Sequence, residues 1–203
     1  MGKNGLVKNV STRYYYRMSE ILIYAAFERL ANLIRAEERQ LGADNGLQPV
    51  HLYALYYLYR CNRFSDTPAA LTEYLGMTKG TVSQTVQVLV NRGLIDKQAD
   101  SEDKRVTHLK LSASGKKIIK NLIPPPLVKS AISELSNKDA SDIEQALQKL
   151  LFAIQGAGKM KSFGECQTCR FCLKDNEKYE CGLTHQPLKL VEIRSICKEH
   201  TPP

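Results

Sequence analysis

The segment between residues 68 and 111 limits the fold of this chain most strongly, because its pattern changes directly from two short helices to two short strands. Apolar residues recur there at spacings of three, four and seven, which is typical of helix faces that pack together. These residues are Leu71, Leu75, Val82, Val86 and Leu89. Gly76 stands between the two predicted helices, where a tight turn is needed. The pattern therefore predicts a helix-turn-helix.

The second helix of this pair carries its own start and stop signals. Thr78 can act as the N-cap and Gly93 as a left-handed C-cap, so the helix is predicted over residues 79–92. A rotation of about 100° per residue then turns a small polar face without acidic residues away from the apolar stripe. The amide groups on this face can pair with adenine, and N–H groups at the helix start can hold phosphate. With its flanks it supplies the candidate DNA contacts Thr78, Lys79, Gly80, Thr81, Ser83, Gln84 and Gln87.

A charged hairpin follows this helix. Leu94 and Ile95 begin one predicted strand, residues 99–105 form a charged turn, and alternation from Val106 onward predicts a second strand. The order of helix, turn, helix and hairpin predicts a winged helix-turn-helix, for which duplex DNA is the first partner to consider. For the second helix, the alternative is an ordinary solvated helix face. For the hairpin, the alternative is a solvated tip that contacts no DNA.

Two consecutive segments, LGMTKGTVSQTVQVLVNRGLIDKQADSEDKR and VTHLKLSASGKKII, resemble the recognition helix, wing and following helix of the MarR family of winged-helix regulators. The resemblance covers about residues 18–154. It implies a homodimeric transcription regulator, expected to be a repressor, that reads a pseudo-palindromic operator in double-stranded DNA. The recognition helix would enter the major groove and the wing would lie at the minor groove.

The wing tip departs from the family pattern at one position. Where the family has D-x-R-x-x-R, this chain has Asp100, Glu102 and Arg105, so one basic residue is lost. Lys104 and Arg105 are left as the expected wing contacts. Asp103 can orient Arg105 through a bidentate pair between its carboxylate and the guanidinium group.

Apolar residues at helical spacing on both sides of this segment predict amphipathic helices. They are Ile21, Leu22, Ala25, Leu30, Leu33 and Ile34 before it, and Leu135, Ile143, Leu147, Leu150, Leu151 and Ile154 after it. The family resemblance implies that these helices interlock across a twofold axis. Residues 124–126 are three prolines without backbone donors, so we expect a break there.

Five of the six cysteines lie after residue 156, at positions 166, 169, 172, 181 and 197. Pairs separated by two residues can converge on one metal, and a later pair can close a four-thiolate site. The preferred set is Cys169, Cys172, Cys181 and Cys197, holding one structural zinc ion. A four-iron four-sulfur cluster and a metal-free thiol switch are the alternatives. Whether Cys166, His185 or His200 replaces one of the four ligands stays open.

The expected fold is mainly α with a small β-hairpin wing (an α+β winged helix-turn-helix), an intertwined helical dimerisation region and a small metal-stapled module. Its divisions are an N-terminal dimerisation helix at 1–47, the winged helix-turn-helix at 48–112, C-terminal dimerisation helices at 113–158 broken at 124–126, and a cysteine-rich metal-binding module at 159–203.

Tyrosines cluster just before the helix-turn-helix, at Tyr53, Tyr56 and Tyr57. The family resemblance implies a pocket for a small aromatic ligand, which these side chains could line. Core packing is the alternative, because tyrosine combines a large apolar body with a polar tip.

Charge and composition favour some function classes over others. The net charge of +8 and pI near 9.2 suit a partner that carries phosphates. No apolar run is long enough for a membrane span, and the first ten residues lack the apolar region of a signal peptide, so a cytoplasmic location is expected. The chain lacks a phosphate-binding glycine loop, a nucleophile elbow and a His-Glu-x-x-His pair, so we expect no enzyme. The alternative function is a metal-binding protein-interaction module on a winged-helix scaffold.

Overall fold

The computed structural model describes the backbone of residues 5–202 and the side chains of residues 18–202. The helices are α1 (Gly5–Asp44), α2 (Pro49–Arg60), α3 (Pro68–Leu75), α4 (Lys79–Asn91), α5 (Ala113–Leu122), α6 (Pro126–Ser133), α7 (Asn137–Ala157) and α8 (Leu190–Ile193). The strands are β1 (Ile95–Ala99), β2 (Thr107–Leu111), β3 (Cys172–Asp175), β4 (Lys178–Cys181) and β5 (Gln186–Leu188). Among these described residues, no helix is both long and apolar enough to cross a bilayer.

Helices α3 and α4 form the predicted helix-turn-helix. Gly76 turns the chain between them in the left-handed conformation, at a φ of 61°. The Thr78 hydroxyl accepts a hydrogen bond from the N–H of Thr81 at 3.2 Å and so caps α4, and Gly93 follows the helix at a φ of 64°. The predicted bounds of this helix are therefore confirmed to within one residue. Its buried stripe includes the three predicted residues, Val82, Val86 and Leu89.

The main hydrophobic core lies between α2, α3, α4, the wing and α5. Its most deeply buried side chains come from every one of these elements, which fixes the wing and the helix pair to one another. They are Leu52, Leu55 and Tyr57 of α2, Leu71 of α3, Val82 and Leu89 of α4, Ile95 and Leu109 of the wing, and Ile119 of α5.

The wing is a two-stranded antiparallel sheet in which Ile95 pairs with Leu111 and Ala99 pairs with Thr107. Helix α5 starts immediately after it, behind the N-cap Ser112, whose hydroxyl accepts a hydrogen bond from the N–H of Gly115. The Ser112 N–H also donates to the Leu94 carbonyl at 3.0 Å. The start of α5 is thereby fixed to the start of the wing.

The predicted break at the three prolines is confirmed. Helix α5 ends at Leu122 and α6 begins at Pro126, with a cis peptide bond between Ile123 and Pro124. The N–H of Leu127 then donates to Glu37 of α1 at 2.9 Å, which places the start of α6 beside the long first helix.

The helices outside the core leave a wide apolar surface uncovered, which we call the apolar outer face. Within the described chain, no residue of α6 or α7 is buried. The exposed apolar residues are Met18, Ile21, Leu22, Ile23, Tyr24, Leu30 and Leu33 of α1 and, from α6 to the end of α7, Leu127, Ile132, Leu135, Ile143, Leu147, Leu151 and Ile154. A surface of this extent and regularity is typical of an interface.

The C-terminal cysteine region forms a three-stranded antiparallel sheet, β3–β4–β5, with the short helix α8 after it. This region, residues 159–202, packs directly against the winged helix-turn-helix. The Phe163 ring lies 5.4 Å from that of Tyr74 and 6.3 Å from that of Tyr57, and Ile196 belongs to the main core. The segment before the cysteines is thus part of the packing rather than a free spacer.

Candidate nucleic-acid interface and cysteine cavity

Helix α4 presents its predicted polar face to solvent. All seven candidate residues on it and at its N-cap are exposed: Thr78, Lys79, Gly80, Thr81, Ser83, Gln84 and Gln87. Gln87 donates to Asn91 at 2.8 Å and accepts a hydrogen bond from the Lys97 ammonium of β1 at 3.4 Å. The helix and the wing therefore present a continuous polar surface with a cation between them.

The wing tip is held in shape by its acidic residues. Asp100 accepts hydrogen bonds from the N–H groups of Glu102 and Asp103, both at 2.8 Å, and these bonds lower the pKa of Asp100 to about 2. The Asp103 carboxylate in turn accepts two parallel hydrogen bonds from Arg105, from Nε at 2.9 Å and from Nη2 at 2.8 Å. The predicted bidentate pair is confirmed, and Lys104 beside it is exposed. The basic groups of the tip are therefore presented in a fixed orientation.

The root of the wing contains a charged cluster that the sequence did not indicate. The His108 ring lies between the carboxylates of Asp66 and Asp100, with Asp100 at 3.0 Å from Nε2. Lys110 donates to the second oxygen of Asp66, and the Asp66 carbonyl accepts the N–H of Leu109 at 2.7 Å. Asp66 is buried, at 4% exposure, so this cluster fixes strand β2 to the loop between α2 and α3.

This cluster makes the wing sensitive to pH. The hydrogen bond to Asp66 raises the pKa of His108 above its ordinary value of 6.5. The charged ring is thus favoured in the folded protein, and its stabilisation is complete below that value and lost as pH rises through the raised pKa. NMR titration should show the raised pKa, and Asp66→Asn should lower it. Asp142→Asn, which removes only an exposed pair on α7, should leave the titration unchanged. An unshifted His108 in the unmodified protein would contradict the cluster.

The far end of α4 is fixed to the first helix. Arg92, the residue that ends α4, donates to the carbonyl of Asn45 at 2.9 Å and to that of Gly46. Both acceptors lie in the turn between α1 and α2. The orientation of α4 is therefore linked to the end of α1.

The three candidate ligand-binding tyrosines point to different places. Tyr57 is fully buried and donates to the Ser65 carbonyl at 2.7 Å, and Tyr53 donates to Glu38 of α1 at 2.9 Å. Tyr56 lines an open cavity of about 940 Å³ between α7 and the lobe, together with Tyr74, Phe152 and Phe163. The cavity is thus aromatic on both sides, and of the three predicted residues it includes Tyr56.

The structure brings the four predicted metal ligands together around one small cavity. Cys166 lines it as well, so that the lining includes Cys166, Cys169, Cys172, Cys181 and Cys197. Cys172 and Cys181 stand directly opposite one another on β3 and β4. In the part of the chain that the structure describes, no group of three His, Cys, Asp or Glu side chains is placed to hold a single metal ion.

Cys166 and Cys197 are in direct contact. A hydrogen bond from the Cys166 thiol lowers the pKa of Cys197 to about 6, and the same contact together with burial raises the pKa of Cys166. Asn62 donates from Nδ2 to the Cys166 sulfur at 3.5 Å. These two cysteines therefore form the innermost part of the cavity, beside the loop that follows α2.

The remaining possible ligands lie elsewhere. His200 is buried, with its ring nitrogens 2.6 Å from the Ser162 hydroxyl and 3.0 Å from that of Thr168. His185 is largely exposed on the turn after β4. Burial raises the pKa of Cys61 to about 12, so this cysteine stays a neutral thiol at ordinary pH. None of the three lines the cysteine cavity.

Sequence reasoning missed the residues that connect distant segments. These residues form hydrogen bonds with partners far away in the sequence, and they are Asp66, Lys110, Arg92 and Asn62. Cys166 was left outside the preferred ligand set. The even spacing of two residues in Cys166, Cys169 and Cys172 was the one local signal that could have included Cys166.

Comparison with known proteins gives one family and one known regulator. A model of the MarR family matches residues 45–106 of this chain. The transcriptional repressor MprA of Escherichia coli strain K12 is 24% identical over 134 residues, which are 65% of this chain and 76% of that protein. The matched family segment spans the helix-turn-helix and most of the wing and ends before the cysteine region.

Solved structures show the same fold. MepR of S. aureus in its DNA-binding conformation superposes with a TM-score of 0.57 at 21% identity, over 66% of this chain and 98% of that one. A MarR transcriptional regulator from Methanosarcina mazei Go1 gives 0.56 at 23% identity, over 68% and 99%. The S. aureus MepR–DNA complex gives 0.53 at 22% identity, over 64% and 96%. The mainly helical fold with a small wing is therefore confirmed.

Proposed function

We propose that this chain, as a MarR-type winged-helix protein, is a homodimeric transcription regulator that represses by occupying a pseudo-palindromic operator. Helix α4 enters the major groove and the wing tip lies at the minor groove. The observation that carries the proposal is the exposed polar face of α4, which Lys97 of the wing contacts through Gln87, together with Arg105, which Asp103 holds exposed at the tip of the same wing. The MepR–DNA complex provides a relative of the same fold on the same kind of partner.

The chemistry of this surface suits duplex DNA. Helix α4 contains no acidic residue, and its first turn offers the N–H groups of Lys79 and Gly80 and the exposed hydroxyl of Thr81. These groups suit phosphates, while the amides of Gln84 and Gln87 suit base edges. The lone acidic departure at the tip, Glu102, is exposed and points to a shallow rather than a deeply inserted wing.

The apolar outer face supports the homodimer. It includes exposed apolar residues of α1, of α6 and of α7. A twofold partner would cover it and hold two recognition helices about one DNA turn apart. This is the geometric requirement for reading two half-sites.

The open cavity beside Tyr56 supports control by a small aromatic ligand. It lies between α7, which belongs to the proposed dimer region, and α2 and α3 of the DNA-binding lobe. A flat apolar molecule stacked against Tyr74 and Phe163 would change the spacing of these two parts.

Two single substitutions test the DNA contacts separately. Gln84→Ala should weaken binding to the chain's own upstream operator by about 1–3 kcal/mol while leaving binding to unrelated DNA unchanged. Arg105→Ala should weaken both and should reduce the slope of log affinity against log salt by about 0.9. Fluorescence anisotropy at several salt concentrations measures both quantities.

Matched controls lie in the cysteine region, outside the proposed contacts. Gln186→Ala and Arg194→Ala remove the same side-chain types from exposed positions and should leave affinity and slope unchanged. A double variant of Gln84 and Arg105 that binds operator as well as the unmodified protein would remove this mechanism and favour the protein-interaction alternative. A flat salt dependence of the unmodified protein would do the same.

A further inference from the structure

Cys166 and Cys197 are brought together by a short pairing of two segments of the cysteine region. Glu165 and Ile196, the residues just before them, pair in an antiparallel bridge. The N–H groups of the two cysteines donate to carbonyls of the opposite segment, at 3.3 Å for Cys166 and 2.9 Å for Cys197. Because side chains alternate along paired segments, both cysteines lie on the same face of this bridge. The backbone thus holds two thiols together that are far apart in the sequence.

We propose that Cys166 and Cys197 are a site of reversible oxidation, at which hydrogen peroxide closes a disulfide bond between them, and that this bond lowers the affinity of the protein for its operator. The second half rests on the proposed function. The first half concerns the two thiols alone and is tested without DNA.

Direct contact distinguishes this pair from the other thiols of the cavity. The Cys166 thiol donates a hydrogen bond to the Cys197 sulfur. The two sulfurs of a disulfide stand about 2 Å apart, and the bond forms readily only where the backbone already brings the side chains together. Cys172 and Cys181, which face one another across β3 and β4, are the competing pair.

The space beside the two thiols suits a small oxidant. The cysteine cavity has a free volume of about 30 Å³. One water molecule needs about 10–15 Å³ of such volume, so hydrogen peroxide with its two oxygen atoms fits and a peroxide with a bulky organic group does not. Phe64, Phe171 and Leu188 line the same cavity and restrict access to the thiols further.

Exposure assigns the order of the two steps. Cys166 is buried at 6% exposure and Cys197 is partly exposed, so peroxide reaches Cys197 first. The Cys197 thiolate attacks one peroxide oxygen, the O–O bond breaks, and the departing hydroxide takes up the proton that Cys197 released, which leaves water and a sulfenic acid. The Cys166 sulfur then attacks the sulfenic sulfur, the S–O bond breaks, and the hydroxyl leaves as water with the Cys166 proton. Two thiols and one peroxide thus give one disulfide and two waters, and the two electrons that the sulfurs lose reduce the peroxide.

The side chain of Asn62 contacts both sulfurs. Its Nδ2 donates to the Cys166 sulfur at 3.5 Å, and the same side chain forms a hydrogen bond with the Cys197 sulfur. Closing the disulfide brings the two sulfurs to about 2 Å, so at least one of them must move relative to Asn62. Oxidation therefore weakens the hydrogen bonds that hold Asn62 to the cysteine region.

Asn62 connects the pair to the wing. Its Oδ1 accepts a hydrogen bond from the Ser65 hydroxyl at 2.7 Å. The next residue, Asp66, holds His108 of β2. When Asn62 loses its contacts with the sulfurs, Ser65 and Asp66 are fixed less firmly, and the wing is fixed less firmly with them. We therefore expect the oxidised protein to bind the operator more weakly.

The oxidation is tested on the full chain with hydrogen peroxide, followed by dithiothreitol. The treated protein should lose two of its six free thiols and about 2 Da of mass, and dithiothreitol should restore both. Digestion without reduction should release a linked pair of peptides that contain Cys166 and Cys197. Cumene hydroperoxide, which carries a phenyl group, should react far more slowly at the same concentration.

Substitutions separate the roles of the cysteines. Cys166→Ser should leave Cys197 as a sulfenic acid that dimedone labels, and Cys197→Ser should form no disulfide with Cys166. Cys181→Ser is the matched control, because it removes a thiol of the same cavity and leaves the pair intact, so it should still form the bond. Far-ultraviolet circular dichroism shows whether each variant is folded, and the linked peptides of the unmodified protein identify the pair without any substitution.

Several outcomes would overturn the proposal. A disulfide between Cys172 and Cys181 in place of the proposed one would move the site to the competing pair. Retention of all six thiols in peroxide would remove the site altogether. Equal rates with hydrogen peroxide and cumene hydroperoxide would overturn the assignment of the oxidant.

The DNA arm is measured separately by anisotropy on the reduced and the oxidised protein. Affinity for the operator should fall by about 5- to 150-fold on oxidation, the usual range of coupling between two sites, and dithiothreitol should restore it. Peroxide-treated Cys197→Ser should keep its affinity. Equal affinities in a protein that has closed the disulfide would overturn the coupling and leave the oxidation site standing. Operator binding that is absent in both forms would overturn the proposed function instead.

Discussion

Replacing Ile143 and Leu147 by glutamate is expected to separate the proposed homodimer into monomers and to lower its affinity for the proposed operator by about 100-fold or more. Both side chains belong to the apolar outer face, at 46% and 45% exposure in the single chain. Two charges placed in a buried apolar interface must lose their hydration, and no cation of α7 is spaced to pair with them. Each separate chain then holds a single recognition helix and reads half a site.

The matched control adds the same charge on the other side of the same helix. Ser141 and Gln145 lie on the polar face of α7 and are joined by a hydrogen bond of 3.3 Å. Ser141→Glu with Gln145→Glu should leave a dimer with unchanged affinity. Analytical ultracentrifugation measures the mass, and a dimer that survives in the Ile143 and Leu147 variant would disprove this interface.

Gly115→Ala should destabilise the fold by at least about 3 kcal/mol, which lowers the melting temperature by roughly 10 °C. A methyl group on Gly115 would lie 2.1 Å from the Leu94 carbonyl oxygen and 3.3 Å from Leu111. The Leu94 carbonyl cannot withdraw, because it accepts the N–H of Ser112. Helix α5 must therefore shift away from the wing, and the Ser112 cap is lost with it.

Gly156→Ala is the control for this change, because it also adds a methyl group to a helical glycine. No atom lies within 4 Å of the added group at Gly156. The substitution should leave the melting temperature unchanged or raise it slightly, because alanine has a helix propensity about 1 kcal/mol more favourable than glycine. Calorimetry compares the three proteins, and equal melting temperatures would show that the start of α5 is not tightly packed.

Local signals in the sequence were enough to predict the winged helix-turn-helix. The cap at Thr78, the glycines at 76 and 93 and the period of Val82, Val86 and Leu89 all act within one or two turns of chain. The proline break is equally local, since it needs only the missing donors of residues 124–126. The Asp103–Arg105 pair was predictable for the same reason, because the partners are only two positions apart in the sequence.

Contacts between distant segments could not be predicted in this way. Asn62 and Cys166 are 104 residues apart in sequence, and Asp66 and His108 are 42 apart. Neither pair has a spacing, a motif or a charge pattern that singles out its partner. Both depend on how the cysteine region and the wing pack on the loop after α2, which follows from the tertiary fold alone.

For the cysteine region, the sequence predicted which residues come together but not the kind of site that they form. Its clustering indicated a metal site, and the structure gathers the same four residues together with a fifth. The choice among zinc, a cluster and a thiol switch depends on the space between the sulfurs, which a sequence does not contain. Helix α1 spans 40 residues and lies within the division at 1–47 that was predicted to be helical.

The hydrogen bonds of Arg92 to the turn after α1 couple the position of α4 to the tilt of the long helix α1. A helix of 40 residues is about 60 Å long, so a tilt of a few degrees at one end displaces the other by several ångströms. Because the guanidinium group holds two carbonyls at once, α4 must follow that displacement. In the proposed homodimer, a small tilt of α1 far from the DNA would thus shift α4. The two α4 helices would then no longer match the spacing of the DNA grooves.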